Sequence, residues 1–207
     1  MENLNNMINL GGIGSCVLSA VLRKLNNPCY PYDNNCTYQS AVINSIKNLE
    51  PLFVFDKKYY ISPPLFVNKA LKNHNNTAWD IHYFKHNYDT DVLTVSSMYN
   101  RRMSRLIDKL NSNDTKILIR MMHTQDSYAP EVNGKIEKDN IEDWILFYEM
   151  ITLKYSNIKL ILISKEHNEI YSKKIQNGIY LMNDKEIFDN INSKLYTFLK
   201  DIDVSSF

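Results

Sequence analysis

Cys16 follows the glycine-rich stretch Leu10-Gly11-Gly12-Ile13-Gly14-Ser15 and opens a run in which Val17, Leu18, Val21, Leu22 and Leu25 recur at helical spacing. A thiol in the first turn of a helix feels the positive end of the helix dipole and nearby backbone N–H groups, both of which favour the thiolate. Ser15 is the expected N-cap. A cysteine nucleophile also needs a base within hydrogen-bond reach and a third group to orient that base. Five histidines are available. His86 lies in a polar stretch with Asp89 and Asp91 close by as orienting carboxylates. His123 lies just past the apolar run Lys116–Met122, at the strand end where open parallel sheets bind ligands. His82 falls in an expected strand and reads as packed; His74 and His167 read as surface residues. Asp33, in Tyr30-Pro31-Tyr32-Asp33, reads equally as a group that orients a base or holds a substrate amine and as the N-cap of the next helix. Set against the nucleophile is a plainer reading, in which Cys16 is a small apolar side chain packed under the first helix.

The same stretch admits a phosphate-loop reading. Strand, glycine turn and helix are the parts of an anion site, and Gly11, Gly12, Gly14 and Ser15 would supply its backbone. The pattern is G-G-x-G rather than G-x-G-x-x-G, and no G-K-[ST] follows. Arginine usage adds to it, because Arg101, Arg102, Arg105 and Arg120 cluster while lysine supplies most positive charge elsewhere. Arginine suits planar, bidentate recognition of carboxylate or phosphate. On the expected helix Arg101 and Arg105 point to solvent, with Asp108 in reach of Arg105. Arg102 and Arg120 are the candidates for an anionic ligand or a buried ion pair. The spacings Cys29/Cys36 and His82/His86 match neither a zinc ribbon nor H-E-x-x-H, so no metal and no cofactor is expected.

These residues need elements to position them. Met7–Leu10 reads as a short buried strand and Ser15–Leu25 as a helix. Cys36–Leu49 reads as a second helix, Leu52–Phe55 and Tyr59–Ile61 as two short strands or a hairpin, and Trp79–Phe84 as a strand. From Ser96 the pattern is regular: a helix carrying Tyr99, Met103, Leu106, Ile107 and Leu110, then the apolar strand Lys116–Met122. A helix over Asp139–Tyr155, a strand over Ile158–Ile163 and a short helix over Lys165–Lys174 follow. A strand over Gly178–Met182 and a closing helix over Asp184–Ile202 complete the chain. Continuous apolar strands alternating with helices predict a single α/β domain over 1–207, with a mostly parallel sheet and helices on both faces.

The 207 residues are enough to bury a sizeable core, and 44% hydrophobic with 12% aromatic residues is ordinary globular composition. A formal charge of +1 gives no global attraction to nucleic acid or an anionic membrane. Three cysteines make no disulfide framework and fit a reducing, cytoplasmic setting. Met1–Asn6 has neither a basic region nor an apolar core, so no signal peptide is expected, and no apolar run reaches membrane-span length. Oligomeric state and substrate are not legible.

Leu10-Gly11 ahead of a cysteine that opens a helix ending Leu22-Arg23-Lys24-Leu25, then Tyr30-Pro31-Tyr32-Asp33, Phe84-Lys85-His86, Arg101-Arg102-Met103-Ser104-Arg105 and Ile117-Leu118-Ile119-Arg120, occur in a distinctive order. Over residues 7 to 165 the chain resembles a family catalogued as papain-like cysteine peptidases of bacteria and large DNA viruses. Ser15 stands where that family prefers Asn, and Asn34 where it prefers Trp. The resemblance implies Cys16 as nucleophile and His86 in the base position. Its name implies a papain-like α+β fold, an alternative to the parallel sheet that the periodicity predicts. Three functions are carried forward: a cysteine-dependent hydrolase or transferase acting on an acyl or amide bond, with Cys16, His86 or His123, and Asp33 or Asp89; a domain binding a phosphorylated or carboxylated small molecule through the glycine loop and Arg102 or Arg120; and a catalytically inactive interaction module, for instance a viral protein meeting a host partner.

Overall fold

The structure, a computed structural model, describes residues 5–12, 14–33, 36–37, 39–47, 82–83, 92–124, 131–132, 135–136, 138–164, 171–187 and 194–203. In chain order these form β1 (Met7–Gly12), α1 (Ser15–Lys24), β2 (Cys36–Thr37), α2 (Gln39–Lys47), β3 (His82–Tyr83), α3 (Val92–Asn111) and β4 (Lys116–Met121). They continue with β5 (Glu131–Val132), β6 (Lys135–Ile136), α4 (Ile141–Lys154), β7 (Ile158–Ser164), β8 (Tyr171–Gln176), β9 (Ile179–Asn183), a 3-10 turn at Lys185–Ile187 and α5 (Lys194–Asp201). A five-stranded sheet has the order β1-β4-β7-β9-β8. β1, β4, β7 and β9 pair in parallel, and β8 joins β9 antiparallel. The chain is thus of the α/β class, with a mixed sheet of mostly parallel strands.

Continuous apolar runs form the central strands because both of their faces are covered. Leu118, Leu160 and Leu162 pack with Val42 and Ile46 of α2, Met103, Leu106 and Leu110 of α3, and Trp144, Phe147 and Ile151 of α4. The alternate residues Ile117, Ile119, Ile161 and Ile163 pack with Leu18, Val21 and Leu22 of α1 and Leu195 and Leu199 of α5. Each such buried aliphatic side chain contributes roughly 1.5–3 kcal/mol. The chain leaving β1 therefore enters a helix of the second cluster, whereas α4, which follows β4, belongs to the first. Adjacent parallel strands whose connections diverge in this way open a crevice at their carboxyl ends. Gly11, Gly12, Gly14 and the residues just after Met121 lie at that edge.

Helix ends are secured locally. Asn140 caps α4, its side chain accepting from the Glu142 N–H at 2.9 Å, with Glu142 and Asp143 complementing the dipole in the first turn. At the end of α3, the Lys116 Nζ donates to the Ser112 carbonyl at 2.6 Å, which ties that helix to the start of β4.

Several expected elements differ. Residues 171–174 were expected in a helix but belong to β8, because Asn177-Gly178 with φ +86° at the glycine makes a tight turn that returns the chain as a hairpin. The second helix starts only at Gln39, while Cys36–Thr37 pairs with His82–Tyr83 as two short antiparallel strands. Of the expected closing helix, the described residues are a 3-10 turn at Lys185–Ile187 and α5 at Lys194–Asp201. The two short strands or hairpin expected at 52–61 and the polar stretch carrying His86, Asp89 and Asp91 lie outside the described residues.

Candidate functional site

The end of β1 is shaped by glycines. Gly11, Gly12 and Gly14 all have positive φ, at 77°, 98° and 74°. At Gly12 the reason is a close approach: a Cβ there would lie 1.8 Å from the Met121 carbonyl oxygen. Gly12 pairs with Met121 after a register shift that begins at Asn9. Left-handed Gly14, not Ser15, is the N-cap of α1, and no side chain caps the helix. Ser15 instead turns inward and donates to the Tyr32 carbonyl at 3.1 Å. Cys16 sits half-buried in the first turn, at the positive end of the helix dipole, and the Val17 and Leu18 N–H groups beside it donate to the Gly14 carbonyl at 2.9 and 3.1 Å.

Behind the loop lies a buried polar cluster. Asn9, in the middle of β1, is fully buried. Its Oδ1 accepts the Gly11 N–H at 2.8 Å, and its Nδ2 lies 3.1 Å from the Ser15 Oγ and 3.0 Å from the Ser19 Oγ. Ser19 donates to Asp33 Oδ1 at 2.6 Å, and the Tyr30 N–H donates to Oδ2 of the same carboxylate. Asp33 is only 3% exposed, and its carboxylate is engaged by Ser19, Tyr30 and Asn9. Burial pushes its carboxyl above the usual range, against the hydrogen bonds from Ser19 and Tyr30 and the charge of Arg102. Burial and the Asp33 charge together raise the Tyr30 phenol to about 12. Asp33 is not the N-cap of α2, which begins at Gln39. On α3, Arg105 donates to the Cys29 carbonyl at 2.9 Å, so that helix grips the start of the same turn. The glycine loop, Tyr30–Asp33 and the arginine helix, far apart in sequence, meet here.

Arg120 and Asp139 form a second cluster beside it. The guanidinium is bidentate to the carboxylate, Nε to Oδ2 at 2.6 Å and Nη2 to Oδ1 at 2.8 Å. Its Nη1 donates to the Leu10 carbonyl at 3.1 Å, and Cζ lies 5.4 Å from the centroid of the Trp144 ring. Both side chains are within 1% of full burial. Of the two possibilities for Arg120, the geometry displays the buried ion pair. The guanidinium also underlies the glycine loop, its Cζ being 3.1 Å from where a Gly12 Cβ would stand.

The structure thus brings Gly11, Gly12, Gly14, Ser15, Cys16 and Asp33 to one place, with Arg102 on the Asp33 side and Arg120 beneath. His123 is fully buried just beyond β4, and its carbonyl accepts the Asp139 N–H at 2.8 Å. His86 and Asp89 lie outside the described residues, as do His74 and His167; His82 is in β3. Asn9, Ser19 and Asp139 were not singled out from sequence. Asn9 carried a signal, being the one polar residue in an otherwise apolar strand, and Ser15 with Ser19 carried another, two hydroxyls four apart on one helix.

Among the described residues no group of three or more His, Cys, Asp and Glu could hold a metal ion, and no helix is long and apolar enough to cross a membrane. Comparison of the chain with protein-family models, curated proteins and solved structures finds no match.

Proposed function

We propose that the chain is a cysteine-dependent hydrolase or transferase acting on an acyl or amide bond, with Cys16 as its nucleophile, built as one domain with helices on both sheet faces. The observation that carries this reading is the setting of Cys16: half-buried, two residues past a left-handed glycine cap, in the first turn of a helix. A side chain there is accessible to a substrate and lies at the positive end of the dipole. The thiolate would attack the carbonyl carbon, and backbone N–H groups of the glycine loop would stabilise the oxyanion. A histidine would protonate the leaving group, and water or another acceptor would then release the thioester. His123 and His86 are the candidate bases, and the buried Asp33 cluster supports the loop. Three cysteines without a disulfide framework fit a reducing compartment such as the cytoplasm.

The anion-binding reading is weaker, because Gly12 is accounted for by strand packing and Arg120 by Asp139. The test is alkylation of the intact protein by iodoacetamide, with peptide mapping across pH. Cys29 is also half-buried and serves as an internal control. Cys16 is expected to alkylate at least about tenfold faster than Cys29 at pH 7, with a midpoint below the usual thiol value of roughly 8.5. Equal rates at the two thiols would overturn the proposal.

A further inference from the structure

We infer that Asn9 and Ser19 are the positioning residues of this site, holding both ends of the glycine turn and fixing the rotation of α1 so that Cys16 is presented at its start. The inference rests on the nucleophile reading of Cys16.

An amide in the middle of an apolar strand is costly unless its hydrogen bonds are met. Asn9 meets them entirely within this site. Its Oδ1 takes the Gly11 N–H at 2.8 Å, on the near side of the turn. Its Nδ2 reaches the Ser15 carbonyl at 3.2 Å and the Ser15 Oγ at 3.1 Å, on the far side. It also approaches the Ser19 Oγ at 3.0 Å and Asp33 Oδ1 at 3.4 Å. Two amide hydrogens are thus shared among four acceptors that converge from α1 and from the Tyr30–Asp33 turn. One side chain spans the glycine turn, and the residue after its far anchor is Cys16.

Ser19 sets the rotation. It lies one helical turn beyond Ser15, and both hydroxyls are buried on the same stripe of α1. Ser19 is held to Asp33 at 2.6 Å and Ser15 to the Tyr32 carbonyl at 3.1 Å. With two points of one stripe anchored, the helix cannot turn about its axis. Cys16 is then fixed about 100° around from Ser15, off the buried stripe.

A purely structural role and a positioning role separate in the thiol's reactivity. The experiment measures iodoacetamide alkylation of Cys16 and Cys29 against pH in the full-length protein and in Ser19→Ala, Ser19→Thr and Asn9→Ala. Each variant is read below its own melting transition. Ser19→Ala and Asn9→Ala are expected to slow Cys16 about tenfold at pH 7, equivalent to raising its midpoint by about one unit. Cys29 should not change, and Ser19→Thr, which keeps the hydroxyl, should recover most of the Cys16 rate. If Asn9→Ala does not fold, Ser19→Ala decides, since it removes a single hydroxyl. A fast wild-type Cys16 whose rate and midpoint are unchanged in Ser19→Ala, even with a lower melting temperature, would overturn this inference alone. A wild-type Cys16 no faster than Cys29 would overturn the nucleophile reading and this inference with it.

Discussion

A buried charge is tolerable only while its partner is present. Arg120 and Asp139 are sealed from solvent, and their bidentate contact is extended by the Trp144 Nε1–H donating to Asp139 at 3.3 Å and by the Leu10 carbonyl. Removing one partner leaves an uncompensated charge in the interior, which typically costs about 3–5 kcal/mol. Asp139→Ala is therefore expected to lower unfolding free energy by that amount, measured by urea titration. Replacing both partners with apolar residues of similar volume, Arg120→Met with Asp139→Leu, should recover most of the loss, because the desolvation of both ions is then removed as well. A double variant no more stable than Asp139→Ala would mean that the Leu10 and Trp144 contacts, rather than the charge pair, dominate at this position. The sequence signalled only half of this cluster. Arg120 at the end of an apolar strand is conspicuous, but Asp139 lies past a polar stretch with nothing in the intervening residues to fix which carboxylate would return.

The elements legible in the sequence are those whose period is set by burial on a regular lattice. β4 and β7 are nearly continuous apolar runs, and α3 buries Met103, Leu106 and Leu110 at spacings of three and four. β8 was misread because its residues, Tyr171-Ser172-Lys173-Lys174-Ile175-Gln176, lie at the edge of the sheet, where little burial constrains the pattern. The turn Asn177-Gly178 was the stronger local signal. The glycine turn after β1 was legible as a turn, but its cause was not: Gly12 is needed because β4 comes within van der Waals reach, a contact between segments distant in sequence. Gly12→Ala should therefore be harsher than an ordinary turn substitution. It combines a left-handed backbone, φ +98°, with a Cβ placed 1.8 Å from the Met121 carbonyl oxygen. The expected loss is at least about 2–3 kcal/mol in a urea titration. A loss under about 1 kcal/mol would show that β1 can move away from β4 without consequence for the core.

The sheet as a whole is graded from centre to edge. β4 and β7 each have a hydrogen-bonded neighbour on both sides and buried side chains on both faces, while β8, among the described residues, pairs with β9 alone and exposes Lys173 and Lys174. Native-state amide exchange should follow that gradient, with the amides of Ile117–Met121 and Leu160–Ile163 exchanging last and those of β8 well before them. Exchange from β4 as fast as from β8 would contradict the layered burial. The parallel pairing of β1 with β4 has a further consequence, in the order of events during synthesis. The Arg120 guanidinium that reaches the Leu10 carbonyl comes from a residue 110 positions later. β4, β7, β9 and β8 can associate as one contiguous block, whereas β1 emerges first and must wait for a partner made much later. At about 5–20 residues per second on the ribosome, that wait lasts several seconds. Until β4 arrives, the apolar side chains of Met7, Ile8 and Leu10 have no partner strand, so β1 is the strand of this sheet that a nascent-chain chaperone would have longest to hold.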